Sequence, residues 1–198
     1  MPSYRFEPAP AGSHFAALSA FALAVFLAPS MVWVALPDKN PDIEQVTLSS
    51  PAQGWEVPVD EECAFTAQSQ TGWGYTCDGV VVSSMVTGPP ADMEKGLRRA
   101  ARAFARMDGQ LSDGAFFRVG DTAALVDESA SALVIAQPGT GEQEGKLMLA
   151  ILQGGGQDVT PVAKDTWSAL TGKPLPDDVA RAVAKLPRPF LAPPTREA

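Results

Sequence analysis

The chain has 198 residues, 45% of them hydrophobic and 19% charged, with 15 basic against 23 acidic side chains and a formal charge of −8. That length accommodates an anchor and one domain of roughly 150 residues, and excludes a polytopic transporter or a two-domain enzyme. The acid excess excludes a nucleic-acid binder, which needs a cationic face to release phosphate counterions.

The first feature in chain order is an uncharged run, Phe15 to Leu36. At a rise of about 1.5 Å per residue it extends roughly 33 Å, enough for a hydrocarbon core about 30 Å thick. The expectation is a single uncleaved transmembrane helix over 15–36, preceded by a tail over 1–14. A cleaved leader and a buried core helix are the alternatives. The leader reading is disfavoured because the apolar stretch is long and cleavage after Ala35 would leave Trp33 at the −3 position. Trp33 suits an interfacial aromatic belt, and Ala16, Ala20 and Ala24 form a four-residue stripe of small side chains on which another helix could pack.

Residues 37–54 contain Pro37, Pro41 and Pro51 and one short apolar alternation, Ile43–Val46–Leu48, which reads as an extended stalk. The domain is expected over 55–186. Trp55–Val59 alternates as a strand, and Cys63–Gln68 and Trp73–Cys77 flank a turn at 69–72. If 68 pairs with 72, Cys63 falls directly opposite Cys77, within disulfide range. Two free core thiols are the alternative. A disulfide persists outside the cytoplasm, so the pair orients the chain with its N-terminus cytoplasmic and its domain extracytoplasmic at the cell membrane. Asp78–Gly79 signals a type I′ turn into a strand over Val80–Val86.

After Gly88-Pro89-Pro90 the apolar period changes. Met93, Leu97, Ala100, Ala101, Phe104 and Met107 recur at three and four residues, so Ala91–Met107 reads as an amphipathic helix with Pro90 leading into its first turn. Its other face carries Lys95, Arg98, Arg99, Arg102 and Arg106. Residues 37–90 hold one Lys against eight carboxylates (−7), whereas 91–198 hold 13 basic against 14 acidic side chains (−1). Arg98, Arg99, Arg102 and Arg106 are either a solvated helix face or a docking surface for an acidic partner or anionic lipid headgroups.

Strands are expected at Ala115–Val119, Thr122–Val126, Ser131–Gln137 and Lys146–Leu152. A helix follows from Thr160 to Leu170, with Thr160 as cap and Gly172 as stop, then a short one starting at Pro176–Asp178. The class is α+β: an antiparallel sheet packed with helices. In the proline-rich tail over 187–198, Phe190 and Leu191 are candidate anchors for a partner.

No catalytic constellation emerges. The only histidine is His14, on the tail before the span, so neither a histidine-based triad nor a zinc site can be assembled in the domain. The Gly154–Gly156 run lacks the Lys-Ser/Thr of a phosphate loop, and the adjacent carboxylates of Asp60–Glu61–Glu62, Asp127–Glu128 and Asp177–Asp178 point apart on a strand or are solvated in a turn. No enzyme activity, cofactor or metal is expected.

The Ala/Arg/Pro-rich composition, the run Pro89-Pro90-Ala91-Asp92-Met93-Glu94-Lys95-Gly96-Leu97-Arg98-Arg99-Ala100-Ala101-Arg102-Ala103, and Trp167-Ser168-Ala169-Leu170-Thr171-Gly172 resemble small single-span envelope proteins of high-GC actinobacteria. Some of those are accessory subunits of the cytochrome bcc–oxidase respiratory supercomplex, which implies a partner among integral membrane proteins. The order of elements is similar to the PsbP/Mog1-like sandwich. The lack of catalytic groups, the span and the charge segregation make a non-catalytic accessory subunit the expectation, with a lipid- or small-ligand-binding envelope protein as the alternative. Three classes of function make different predictions. A non-catalytic accessory subunit co-purifies with its complex, a lipid- or small-ligand-binding envelope protein has an apolar pocket between sheet and helix, and an enzyme gathers polar side chains in a cleft.

Overall fold

A computed structural model describes residues 21–23, 25, 42–50, 54–66, 74–105, 113–154 and 157–186. The chain divides into two units, Met1–Asn40 and Pro41–Ala198. In the first, residues 21–23 and 25 are helical and exposed. Among the described residues no helix is long and apolar enough to cross a membrane. Most of the span read over 15–36, with Ala16, Ala20, Ala24 and Trp33, lies outside the described residues, as do Arg106, Phe190 and Leu191.

The second unit is α+β. Its elements are β1 (Ile43–Ser50), β2 (Trp55–Thr66), β3 (Gly74–Cys77), β4 (Val80–Thr87), α1 (Met93–Ala105), β5 (Ala115–Val119), β6 (Thr122–Asp127), β7 (Ala132–Pro138), β8 (Leu147–Gly154), α2 (Thr160–Thr171) and α3 (Asp177–Val183). The strands form one antiparallel sheet in the order β1-β2-β3-β4-β8-β7-β6-β5. Two four-stranded meanders thus meet at the β4–β8 pair, and α1 carries the chain from the centre of the sheet to its far edge.

The strand β1 corrects the stalk read over 37–54, since it pairs with β2 from Ile43↔Ala64 to Ser50↔Trp55. Val46 and Leu48 are buried while Ile43 lies on the exposed face, and the register shift between Gln45 and Thr47 falls on the partner strand, where residues 59–61 of β2 stand against Val46 alone. The apolar alternation of β1 is only Val46 and Leu48, flanked by Pro41 and Pro51, too short to mark a strand by pattern alone. The next hairpin follows the expected register. Ala64 pairs with Thr76, which sets Cys63 against Cys77, and the two are joined by a buried disulfide with a Cα–Cα distance of 4.9 Å. At the β3–β4 turn Asp78 and Gly79 both take positive φ (48° and 84°), as a type I′ turn requires.

The first meander curls until β1 meets β4. There the Ser84 hydroxyl accepts the Ser49 N–H (2.9 Å) and donates to the Ser49 carbonyl (3.2 Å), so one side chain satisfies both groups that Ser49 turns away from β2. Val46, Leu48, Val59, Val80 and Val82 fill the inside of the curl beside the disulfide.

In the second meander β6, β7 and β8 are buried on both faces. Met148, Ala150 and Leu152 join Leu133, Ile135, Ala124 and Val126 beneath α2 and α3, where Trp167 is buried. Leu147, Leu149 and Ile151 join Val134, Ala136, Ala123 and Leu125 beneath α1, on the opposite face. Burial on both faces is why these strands read as continuous apolar runs. Thr160 is the first helical residue of α2 rather than its cap: the cap position is Val159, and the Asp158 carboxylate, two residues before the helix, accepts the Thr160 N–H (3.0 Å). Gly172, with φ 67°, ends it as expected.

Candidate ligand groove beside the first helix

The helix α1 begins where the Asp92 carboxylate accepts the Lys95 N–H (3.0 Å), satisfying one donor of the first turn. Pro90 therefore precedes the helix by three residues rather than opening it. Leu97, Ala101 and Phe104 fall on one face and are buried against the second meander, while the cations fall on the other. Arg98 is drawn inward. It holds the Glu94 carboxylate (2.8 and 3.1 Å) and donates to the Gly114 carbonyl (2.9 Å), tying α1 to the loop that enters β5. Arg102 is half-buried and engaged by its surroundings. Arg99 is exposed, and among the described residues no carboxylate pairs with it.

The flank of α1 that faces β4 carries Gly96, Ala100 and Ala103, at spacings of four and three. These small side chains leave a groove of about 650 Å³ between helix and sheet. Its floor is two cross-strand pairs, Met85↔Leu149 and Thr87↔Leu147, and Leu97 and Phe104 form the foot of its helical wall. Gly88 and Pro90 close one end. They can do so because residue 96 is glycine, as a Cβ there would lie 2.6 Å from Pro90 Cγ. Met85 is 36% exposed on its strand, so the floor is open to solvent there, while Leu147 and Leu149 beneath are buried. Arg99 stands at the rim, and among the described residues of the lining it and Thr87 are the polar side chains. Such a site can shelter an apolar chain and attract an anion.

Elsewhere, a cavity of about 260 Å³ opens at the mouth of the curled meander, among Glu44, Leu48, Phe65, Tyr75, Val82 and Ser84. Phe65 and Tyr75 meet there edge-to-face with ring centroids 5.6 Å apart. On β2, against α2, burial raises the carboxyl pKa of Glu61, with the fields of Asp165, Asp78 and Asp60 and a hydrogen bond to Asp165 adding to the effect. Among the described residues no group of three or more His, Cys, Asp or Glu side chains is placed to hold a metal ion.

Of the described cations singled out by sequence, Arg99 is the one that lines the groove, while Arg106 lies outside the described residues. The floor residues Met85, Thr87, Leu147 and Leu149 were missed, although a helix-centre glycine followed by alanines four and seven residues on was visible in the sequence as a flank stripped of bulk. No family model matches the chain, and neither a curated protein nor a solved structure matches it.

Proposed function

We propose that this chain is a non-catalytic binding protein of the cell envelope, held to the membrane by the apolar segment 15–36, with the groove beside α1 as its working surface and a lipid or small apolar ligand as its occupant. The observation that carries the reading is the groove itself: an apolar, one-sided channel of about 650 Å³ between helix and sheet, with Arg99 in its lining. Pockets that accept small ligands fall in this size range and combine apolar walls with a few polar groups that orient the guest. The uncharged run Phe15–Leu36 and the Cys63–Cys77 disulfide support an anchored, extracytoplasmic domain.

A second reading uses the same helix differently. The chain is then an accessory subunit of a larger integral membrane complex, an actinobacterial respiratory supercomplex being the concrete case, and exposed Lys95 and Arg99 retain an acidic partner. Gentle extraction from native membranes, affinity capture of the chain, lipid mass spectrometry and a visible spectrum separate the two. Stoichiometric lipid without partner subunits supports the binding protein. Haem bands with stoichiometric cytochrome subunits overturn it in favour of the accessory subunit, and recovery of the bare chain defeats both.

A further inference from the structure

We infer that the groove is built for a single-chain anionic amphiphile, a free long-chain carboxylate, with its tail along Met85, Leu149 and Phe104 and its head on Arg99. This rests on the reading that the groove holds an apolar ligand, and adds the chemistry of that ligand.

Charge selects the head. The protein as a whole repels anions, with −7 on residues 37–90 alone. An anion therefore finds an attractive approach where cations gather without partners. Among the described residues Arg98 is already paired with Glu94, whereas Arg99 on the groove rim has no carboxylate, and Lys95 stands one turn before it. A guanidinium offers two parallel N–H donors to the two oxygens of a carboxylate, a geometry that a neutral hydroxyl head cannot use.

Shape selects one chain. The groove is a channel bounded by α1 on one side, closed by Pro90 packed over Gly96 at one end, and floored by two cross-strand pairs. The apolar face of α1 is not available to a bilayer, because Leu97, Ala101 and Phe104 are turned into the sheet and buried. A helix that lies on a membrane must offer that face to the lipid. The groove thus takes a molecule that comes to it, rather than resting on a bilayer surface.

The test uses the full chain in phosphatidylcholine nanodiscs and two photoreactive probes, a diazirine-tailed tetradecanoate and the matching tetradecanol, with adducts located by peptide mass spectrometry. Tetradecanoate should label Met85, Leu149 or Ala103. Arg99→Glu should lower that labelling about tenfold while changing labelling by the alcohol less than about twofold. Ala103→Leu, at an exposed helical position that tolerates leucine, should block both probes by filling the channel, and Arg181→Glu on the opposite layer should block neither. Equal labelling by acid and alcohol, indifferent to Arg99→Glu, overturns the anionic head and leaves the groove as an apolar site. Absence of labelling, or adducts elsewhere, overturns the groove as a ligand site altogether. Loss of tetradecanoate labelling when a quarter of the lipid is replaced by phosphatidylglycerol identifies a bilayer phospholipid as the occupant and overturns the free acid.

Discussion

Glu61 lies half-buried on β2 with its carboxyl hydrogen-bonded to Asp165 of α2, in the combined field of Asp165, Asp78 and Asp60. Burial first, and those charges second, hold its pKa above the ordinary glutamate value. The folded chain therefore keeps this proton more tightly than the unfolded chain. The associated stability is complete below the unfolded pKa and is lost as pH rises through the folded one. At neutral pH the ionised group is a cost. Glu61→Gln should accordingly raise stability at neutral pH by about 0.5 kcal/mol after solvent screening, with the gain disappearing near pH 4. Urea midpoints of both chains at the two pH values check this, and a gain equal at both would show that charge is not its origin. Residue-scale detail of this sort was beyond sequence reading. Nothing local distinguishes Glu61 from Asp60 or Glu62, and only the arrival of α2 from a hundred residues away does so. The arginines illustrate the same limit: Arg98 and Arg99 are neighbours in sequence, yet one is committed to Glu94 and Gly114 and the other faces the groove.

At the scale of elements, local patterns were enough wherever packing respected them. The Asp78–Gly79 turn, the Cys63–Cys77 register, the 3.6-residue period of α1 and the stop at Gly172 were each legible, because each follows from chemistry within a few residues. The exception is β1, whose apolar alternation is only two residues long, Val46 and Leu48, and whose docking depends on a partner more than thirty residues away. That partner is Ser84. Replacing it by alanine leaves the Ser49 N–H and carbonyl without their hydroxyl and should cost about 1–2 kcal/mol. The same change should speed hydrogen exchange at the Ser49 amide, while amides in β7 keep their protection. If the Ser49 amide exchanges at the same rate in both chains, the hydroxyl does not hold β1 against β4. The groove belongs to this scale as well. The thin flank of α1 could be read from Gly96, Ala100 and Ala103, but its floor comes from β4 and β8, strands separated by the whole crossover.

Across the molecule, the β4–β8 ladder joins the two meanders, and one hydrophobic core runs from Val46 and Leu48 through Leu152 to Trp167. Events in either meander should therefore be felt by both. Closing a loop of about 15 residues, the Cys63–Cys77 bond should contribute about 3 kcal/mol, which reduction removes. The expected record is one unfolding transition moved to lower denaturant, with far-UV circular dichroism and tryptophan emission shifting together. Two separated transitions would show instead that the meanders fold as independent units. The α+β class followed from the order of periods along the chain. The strand order did not, because which edge the crossover reaches is decided by how the completed meanders pack.

The disulfide has a further, purely covalent consequence. Cys63 and Cys77 bracket the tip of the β2–β3 hairpin, so the backbone between them is the closed part of a ring. A protease that cuts once within that ring severs the polypeptide without releasing a piece. The nicked molecule should migrate as a single species in a denaturing gel run without reductant. With reductant it should fall into an N-terminal fragment carrying β1 and β2 and a C-terminal fragment carrying everything from β3 onward.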